Sequence, residues 1–225
     1  QTCALPIYLA GSRHCYQVDT DSKRIFTAAD EERIHFIHKH KGMLYTATSD
    51  GLYYADASLL KWNSVPGLSH SEVYSIEAFG DNIYLACNSG AYLFRPDGTL
   101  QRLFASRGTG AGESLTPFLI KVDASTPSRL WLCTNKGIFL SEDRGSTWQK
   151  FYMTGAGNAS VQCLAQFPLD ARHIYLCSDI GLIKVNIATG DSVPLYDGLP
   201  TSKTRWMDFA TNGDIYLRSE EHTSE

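Results

Sequence analysis

Apolar residues alternate with polar or small residues in short stretches along most of the chain, and each stretch is about one strand long. Five of these stretches lie at 34–37, 73–79, 118–122, 161–167 and 206–209. Turn-forming residues such as Gly, Asn, Asp and Pro follow them. No apolar stripe of helical period extends beyond two turns. The pattern predicts an all-β protein built from short antiparallel strands.

A repeat of about 42 residues organises these strands. Its most regular part is an apolar–aromatic pair, then small residues, then a Gly six positions after the aromatic. Four segments share this pattern: LYTATSDG at 44–51, IYLACNSG at 83–90, LWLCTNKG at 130–137 and IYLCSDIG at 174–181. Tyr8 and Tyr216 mark incomplete copies, and His14 stands at the Gly position of the first copy. We expect the recurring Gly to adopt positive φ in a tight turn.

Two further strands complete each repeat. A third strand is predicted at 52–55, 92–94, 138–140 and 182–185, and a more polar fourth strand at 60–63, 100–104, 148–151 and 193–196. Four short antiparallel strands per repeat form the blade of a β-propeller, whose blades stack and bury one another's faces. The small residues Ala47, Ala86, Cys133 and Cys177 suit the middle of a blade, where neighbouring sheets approach.

We therefore predict an all-β, β-propeller fragment that is not closed, with four complete four-stranded blades and two partial blades. The predicted repeats are 8–32 (partial), 33–72, 73–117, 118–160, 161–203 and 204–217 (partial).

The residues at the two ends of the chain match the translation of a known DNA adapter and do not follow the repeat. A common short-read sequencing adapter, read as AGA TCG GAA GAG CAC ACG TCT GAA, encodes RSEEHTSE at 218–225, and its reverse complement encodes QTCALPI at 1–7. We predict that both ends derive from adapter DNA and that 8–217 is a segment of a longer reading frame. A signal peptide could therefore not be read from this sequence.

One repeat carries a recognisable motif, SEDRGSTW at 141–148. It fits the pattern Ser-x-Asp-x-Gly-x-Thr-Trp at Ser141, Asp143, Gly145, Thr147 and Trp148. This resembles the Asp-box, or BNR repeat, of sialidases, sortilin-like receptors and other secreted propellers. The resemblance implies a structural hairpin at the blade periphery, between the third and fourth strands. The recurring apolar–aromatic pair followed by a Gly is also similar to the repeats of bacterial two-component-regulator propellers.

An enzyme of the Asp-box class is the alternative function. Sialidases need an arginine cluster, an acid and a Tyr–Glu pair, and the resemblance would require an Arg-Ile-Pro signature that this sequence lacks. Arg13, Arg107 and Arg205 are candidate arginines, but isolated surface arginines are usually solvated. Asp50 and Asp179 lie in corresponding turns of different repeats, where Asp also serves as a turn former. No catalytic residue is predicted.

Metal and cofactor sites have little support. His38 and His40 would share one face of a strand with no carboxylate near them, so a solvated strand end is the favoured interpretation. The Gly-rich stretches 106–113 and 154–160 lack the strand-then-helix context of a phosphate loop. The cysteines at 15, 87, 133, 163 and 177 are interpreted as buried thiols. We predict no metal and no cofactor.

Seven polar loop residues form a candidate binding rim around the propeller funnel: Asp50, Asn88, Arg107, Glu113, Asn135, Asn158 and Asp179. The alternative is that they are ordinary polar loop residues. The 20 Lys and Arg against 24 Asp and Glu give a net charge of −4, which does not favour nucleic acid as a partner. No apolar stretch reaches the roughly 20 residues of a membrane span.

The sequence thus favours a non-catalytic recognition module, a sensor or scaffold that binds a glycan or a protein on its loop face. The family resemblance implies a bacterial exported protein in the periplasm, at the cell surface or secreted. A fragment of an Asp-box glycoside hydrolase and a purely architectural assembly module remain the alternatives, because propellers host all three.

Overall fold

A computed structural model describes residues 7–10, 15–18, 23–26, 33–57, 61–106, 114–167, 170–195, 204–209 and 214–219. These residues form 21 β-strands and no helix. The chain divides into two compact units, residues 1–102 and 103–225. In the described part of the chain, no helix meets the length and hydropathy of a membrane span.

Unit 1 contains three antiparallel sheets in which strands pair in chain order. Sheet I is β1 (Ile7–Ala10), β2 (Cys15–Val18) and β3 (Lys23–Phe26). Sheet II is β4 (Ile34–His40), β5 (Met43–Thr48), β6 (Gly51–Asp56) and β7 (Asn63–Ser64). Sheet III is β8 (Val73–Phe79), β9 (Asn82–Cys87), β10 (Gly90–Phe94) and β11 (Leu100–Ala105), whose last residues fall in unit 2.

Unit 2 contains three more antiparallel sheets of the same kind. Sheet IV is β12 (Pro117–Val122), β13 (Leu130–Thr134), β14 (Gly137–Ser141) and β15 (Gln149–Phe151). Sheet V is β16 (Val161–Ala165), β17 (His173–Ser178), β18 (Gly181–Asn186) and β19 (Ser192–Pro194). Sheet VI is β20 (Thr204–Phe209) and β21 (Ile215–Ser219).

The fold-class prediction is confirmed. Sheets II to V are four complete four-stranded blades, and sheets I and VI are the two partial ones. None of the six sheets in the described ranges closes on itself. Ile7 lies in β1, and Arg218 and Ser219 lie in β21, at positions that the nucleotide match assigns to adapter DNA.

The ends of several strands differ from the prediction. β7 begins only at Asn63, and Leu60 lies outside the described residues. β19 covers Ser192–Pro194, shorter than the predicted 193–196, and Tyr196 is outside the described residues. The first strand of sheet V ends at Ala165, before the predicted 167. The last strand of each blade is short and polar, so few apolar contacts hold it and its ends are hard to read from sequence.

Within each unit, neighbouring sheets pack face to face. Alternate residues of a strand point to opposite faces of its sheet and so enter two different cores. In β17, Ile174 and Leu176 belong to a core shared with sheet IV, whereas Tyr175 and Cys177 belong to a core shared with sheet VI. Sheets II and III share a similar core in unit 1. The predicted small residues Ala47, Ala86, Cys133 and Cys177 are fully buried. The predicted stacking of blade faces is therefore present within each unit.

The turn between the second and third strands is the same in all four blades. Its glycine has positive φ, as predicted: 139° at Gly51, 145° at Gly90, 97° at Gly137 and 117° at Gly181. At Gly137 an added Cβ would lie 2.7 Å from the carbonyl oxygen of Gly157, so a side chain is also excluded by space. A buried hydroxyl three residues before the glycine donates to its carbonyl oxygen at 2.7–3.0 Å in three blades: Thr48, Thr134 and Ser178.

Candidate functional site

A β-bulge lies at the start of the first strand of every four-stranded sheet and of sheet VI. The pairing register shifts across one residue in each case, and these residues are His35, Tyr74, Phe118, Gln162 and Arg205. A bulge leaves one residue outside the regular ladder and re-aims its side chain. The repeat therefore presents one side chain per blade at the same end of its first strand.

In unit 1 the side chains of two bulge residues, His35 and Tyr74, contact the carboxylate of Glu72. The Tyr74 hydroxyl donates to Oε2 of Glu72 at 2.9 Å, and Nε2 of His35 lies 3.2 Å from Oε1. This Nε2 atom is buried and makes no regular hydrogen bond. The side chain of His35 is 20% exposed and that of Glu72 is 37% exposed, so the group is reachable from solvent. We call His35, Glu72 and Tyr74 the bulge cluster.

Burial and the bond to Glu72 raise the pKa of Tyr74 to about 12. The phenol therefore keeps its proton across the physiological range and acts as a hydrogen-bond donor. The rings of His35 and Tyr74 lie 6.1 Å apart with a 58° tilt. The cluster thus offers an imidazole, a phenol and a carboxylate, with two aromatic surfaces between them.

The segment that leads into β8 adds further polar groups. Nδ1 of His70 lies 2.8 Å from Oδ1 of Asp50, and the His70 side chain is 89% exposed. His70 has φ of 62°, a left-handed conformation that is uncommon for a residue other than Gly. The hydroxyl oxygens of Ser71 and Ser89 are 3.2 Å apart, and the Tyr92 hydroxyl donates to Ser89 at 3.1 Å. These groups and the bulge cluster are joined by consecutive residues 70–72.

Among the predicted rim residues of unit 1, Asp50 pairs with His70 and Asn88 bonds through its backbone. The N–H group of Asn88 donates to the carbonyl oxygen of Glu72 at 2.9 Å. Both residues therefore contact the segment 70–72, which the sequence did not single out.

The predicted rim residues of unit 2 bond to separate partners. Oδ1 of Asn135 accepts from the backbone N–H of Thr116 at 2.8 Å, and Oδ1 of Asp179 accepts from that of Ser160 at 2.9 Å. Nζ of Lys150 donates to Oδ1 of Asn158 at 2.6 Å. Arg107 and Glu113 lie outside the described residues.

Asp50 and Asp179 occupy different places within corresponding turns. Asp179 stands two residues before the turn glycine, as do Ser49, Asn88 and Asn135, and Asp50 stands one residue before it. The residue two positions before the glycine links the turn to the segment just before the first strand. The side chains of Ser49, Asn135 and Asp179 each accept a hydrogen bond from a backbone N–H in that segment. Asp50 is the one that pairs with a side chain, His70.

Residues 141–148 form a hydrogen-bonded turn between β14 and β15. Oδ1 of Asp143 accepts from the backbone N–H of Thr147 at 2.8 Å, and Oδ2 accepts from the Thr147 hydroxyl at 2.7 Å. The Ser141 hydroxyl donates to Oδ1 of Asp143 at 2.8 Å and accepts from the N–H of Gly145 at 2.7 Å. The bonds from Thr147 and Ser141 lower the pKa of Asp143 to about 2.

The same turn packs against the end of β11. Nε1 of Trp148 donates to the carbonyl oxygen of Leu103 at 3.0 Å, and its ring meets Phe104 edge-on at 5.8 Å. Gly145 has φ of 90°, and a Cβ there would lie 2.9 Å from the Leu103 side chain. Every fixed position of the motif thus has a contact within or beside the hairpin.

The other candidate groups are placed as follows. His38 and His40 share a face of β4, with ring centroids 6.2 Å apart. In the described ranges, no group of three His, Cys, Asp or Glu is arranged to hold a metal ion. Cys87, Cys133, Cys163 and Cys177 are free and buried.

Sequence reasoning missed Glu72, Tyr74 and His70 as a group. The bulges that turn His35 and Tyr74 toward one carboxylate leave no mark in the hydrophobic alternation, and neither His35 nor His70 belongs to a recognisable motif. The available signal was the dense run of polar residues SHSE at 69–72 directly before a strand.

The chain resembles solved propeller structures over nearly its whole length. The extracellular domain of a protein assigned as a hybrid two-component system of B. thetaiotaomicron superposes with a TM-score of 0.77 at 15% identity, covering 98% of this chain and 31% of that one. An ancestral GH74 enzyme gives a TM-score of 0.74 at 13% identity, covering 95% and 36%. PorZ, a surface component of the type-IX secretion system of Porphyromonas gingivalis, gives 0.66 at 14% identity, covering 96% and 29%.

These likenesses establish the propeller fold, and the chain spans about a third of each of these structures. No protein-family model matches the sequence, and no curated protein matches it.

Proposed function

We propose that the chain is part of a non-catalytic recognition propeller in a bacterial exported or surface protein, and that it binds a glycan at the bulge cluster. The proposal draws on the fold shared with extracellular domains of two-component systems, two of which superpose with TM-scores of 0.77 and 0.72. In this proposal the protein is located outside the cytoplasm and acts as a sensor or a scaffold. A protein ligand on the same face is the alternative that the experiment below distinguishes.

The observation that carries the proposal is the Glu72 carboxylate held between two bulge residues. Tyr74 fixes one oxygen and His35 lies against the other, so the carboxylate is oriented before any ligand arrives. The Glu72 side chain is 37% exposed, so its oriented carboxylate can accept a hydrogen bond from a ligand hydroxyl. Hydroxyl-rich ligands need such alternating donors and acceptors beside aromatic surface.

The exposed His70–Asp50 pair extends this site. Asp50 accepts the bond at Nδ1, which leaves the opposite imidazole nitrogen, on a largely exposed side chain, for a ligand. In this proposal Asn88, Asn135 and Asp179 support the loops, Asn158 anchors Lys150, and Arg107 and Glu113 are further rim positions. Ser141, Asp143, Gly145, Thr147 and Trp148 form an Asp-box with a structural role, because their bonds serve the hairpin.

The binding test uses the chain and a panel of soluble oligosaccharides in calorimetry and glycan-array measurements. Glu72→Gln and Tyr74→Phe are expected to weaken binding at least about tenfold, since each removes a charge-assisted hydrogen bond. Asp81→Asn is the matched control, because Asp81 is an exposed carboxylate in the turn at the other end of β8. Equal affinity in all variants, or binding only to protein ligands, would contradict the glycan assignment.

A glycoside hydrolase is the second candidate, favoured by the likeness to two GH74 enzymes with TM-scores of 0.74 and 0.63. In that case part of the catalytic machinery would lie in blades beyond this chain. Incubating the chain with fluorogenic glycosides and with the oligosaccharide that it binds decides between the two. Turnover that Glu72→Gln abolishes would replace the non-catalytic proposal, whereas binding with no product after prolonged incubation supports it.

A further inference from the structure

Two of the buried cysteines lie directly opposite each other on neighbouring strands. Cys163 in β16 and Cys177 in β17 are register partners in an antiparallel pair. Their side chains belong to the same apolar core, the one between sheets V and VI, so they project from the same face of the sheet. Both are free thiols, exposed by 4% and 0%.

Directly opposite residues of an antiparallel pair have Cα atoms about 4.5–5.5 Å apart. This lies inside the range of about 4.4–6.8 Å over which a disulfide closes without backbone movement. A β-bulge at Gln162 adjoins Cys163 and disrupts the hydrogen-bond ladder locally. The register therefore brings the Cα atoms of this pair within the range of a disulfide.

The other two cysteines whose side chains the structure describes are not placed in this way. Cys133 belongs to the core between sheets IV and V, on the opposite face of sheet V from Cys163. Cys87 lies in unit 1, in the core between sheets II and III. The geometry thus selects one pair from the four buried thiols.

We propose that Cys163 and Cys177 are a redox site that forms a cross-strand disulfide with a small-molecule or protein disulfide as the oxidant. The thiolate of one cysteine attacks the oxidant disulfide and releases one thiol, which leaves a mixed disulfide. The second cysteine, losing its proton, displaces the other oxidant thiol and closes the S–S bond. Two electrons and two protons pass from the pair to the oxidant, which ends as two thiols.

The two thiols also influence each other's ionisation. The Cys163 thiol donates to the carbonyl oxygen of Met207 at 3.8 Å, and the neighbouring thiol of Cys177 lowers the pKa of Cys163. The interaction with Cys163, together with burial, raises the pKa of Cys177. Either thiol can therefore make the first attack, and the other closes the bond. An exported protein meets oxidants of this class, so the site suits the compartment proposed above without depending on it.

The test refolds the reduced, unfolded chain in buffers of oxidised and reduced glutathione, so that burial does not limit access. Free thiols are then alkylated and the peptides are mapped by mass spectrometry. We expect the peptide that joins Cys163 to Cys177 to be at least about tenfold more abundant than any other cysteine pair. Cys133→Ala should keep this linkage, and Cys163→Ala should abolish it while leaving Cys87 free.

A second readout is thermal stability. The linkage closes a loop of about 15 residues, so the oxidised chain should melt roughly 5–10 °C higher than the reduced chain, and dithiothreitol should reverse the shift. Cys163→Ala should show no shift. A Cys133–Cys163 linkage, a statistical mixture of pairs, or complete alkylation of Cys163 and Cys177 after refolding would each overturn the proposal.

Discussion

Buried hydroxyl groups close the same turn in three of the four-stranded sheets. Thr48, Thr134 and Ser178 are at most 1% exposed, and each donates to the carbonyl oxygen of the turn glycine. Cys87 stands at the equivalent position of sheet III. A buried polar group without a partner is costly, so the hydroxyl and the carbonyl satisfy each other. The repeat thus preserves a polar contact as well as an apolar pattern.

Replacing Thr134 by Val should reduce the free energy of unfolding by about 1–2 kcal/mol. The side chain keeps its shape, but the Gly137 carbonyl oxygen loses the donor at 2.8 Å and the Lys136 N–H loses the acceptor at 3.1 Å. Urea denaturation measures the change. Thr134→Ser retains the hydroxyl and should lose much less stability, and equal losses in the two variants would show that the methyl group, not the hydroxyl, matters.

Protonation of the Asp143 carboxylate should lower the free energy of unfolding at acidic pH. Its pKa is lowered from 3.8 to about 2 in the folded protein, so its hydrogen bonds stabilise the fold above about pH 4 and are lost as the pH falls toward 2. Asp143→Asn lacks this titration. The melting temperature of the wild type should approach that of the variant between about pH 4 and pH 2. A constant difference over this range would contradict the assignment.

At the scale of elements, close approach and positive φ fix the turns. Gly137 combines φ of 97° with a neighbouring carbonyl oxygen only 2.7 Å from where a Cβ would lie. Gly155 has φ of 71° but no atom within 4 Å of that point. Substituting Gly155 therefore tests backbone strain alone, whereas substituting Gly137 tests backbone strain together with a steric clash.

Gly155→Ala should cost about 1–2 kcal/mol through the left-handed backbone alone. Gly137→Ala should cost more, about 3 kcal/mol or above, because the loop at Gly157 must also move. Chemical denaturation of both variants gives the comparison. If the two losses are equal, the close approach to Gly157 contributes nothing.

At the scale of the whole molecule, each unit depends on sheets that hide one another's faces. Leu176 of sheet V is fully buried in the core that Trp131, Cys133 and Ile138 of sheet IV also form. A sheet of this size cannot bury both of its faces alone. Destabilising one sheet should therefore weaken its neighbour.

Leu176→Ala should reduce the free energy of unfolding by about 2–5 kcal/mol and lower hydrogen-exchange protection in β13 as well as in β17. Ile180→Ala is the control, because Ile180 lies in the next turn and is 42% exposed, and it should change stability by less than about 0.5 kcal/mol. Loss of protection confined to β17 would show that the sheets unfold independently.

The strands, their order and the turn glycines could be predicted from the sequence, because each depends on a period of two, a turn residue or a repeat. Tyr45, Tyr84, Trp131 and Tyr175 stand at one position of the repeat, and the last three are at most 9% exposed. The ends of β7 and β19 could not be predicted, since edge strands bury little apolar surface.

The candidate site depended on the tertiary structure. His35 lies in sheet II, and Glu72 directly precedes the first strand of sheet III, about one repeat later in the chain. The bulges at His35 and Tyr74 aim these two side chains at the Glu72 carboxylate. Whether Cys163 would face Cys177 or Cys133 was likewise decided by strand register. Local alternation encodes which residues are buried, whereas register and bulges decide which side chains meet, because a shift of one residue turns a side chain to the opposite face.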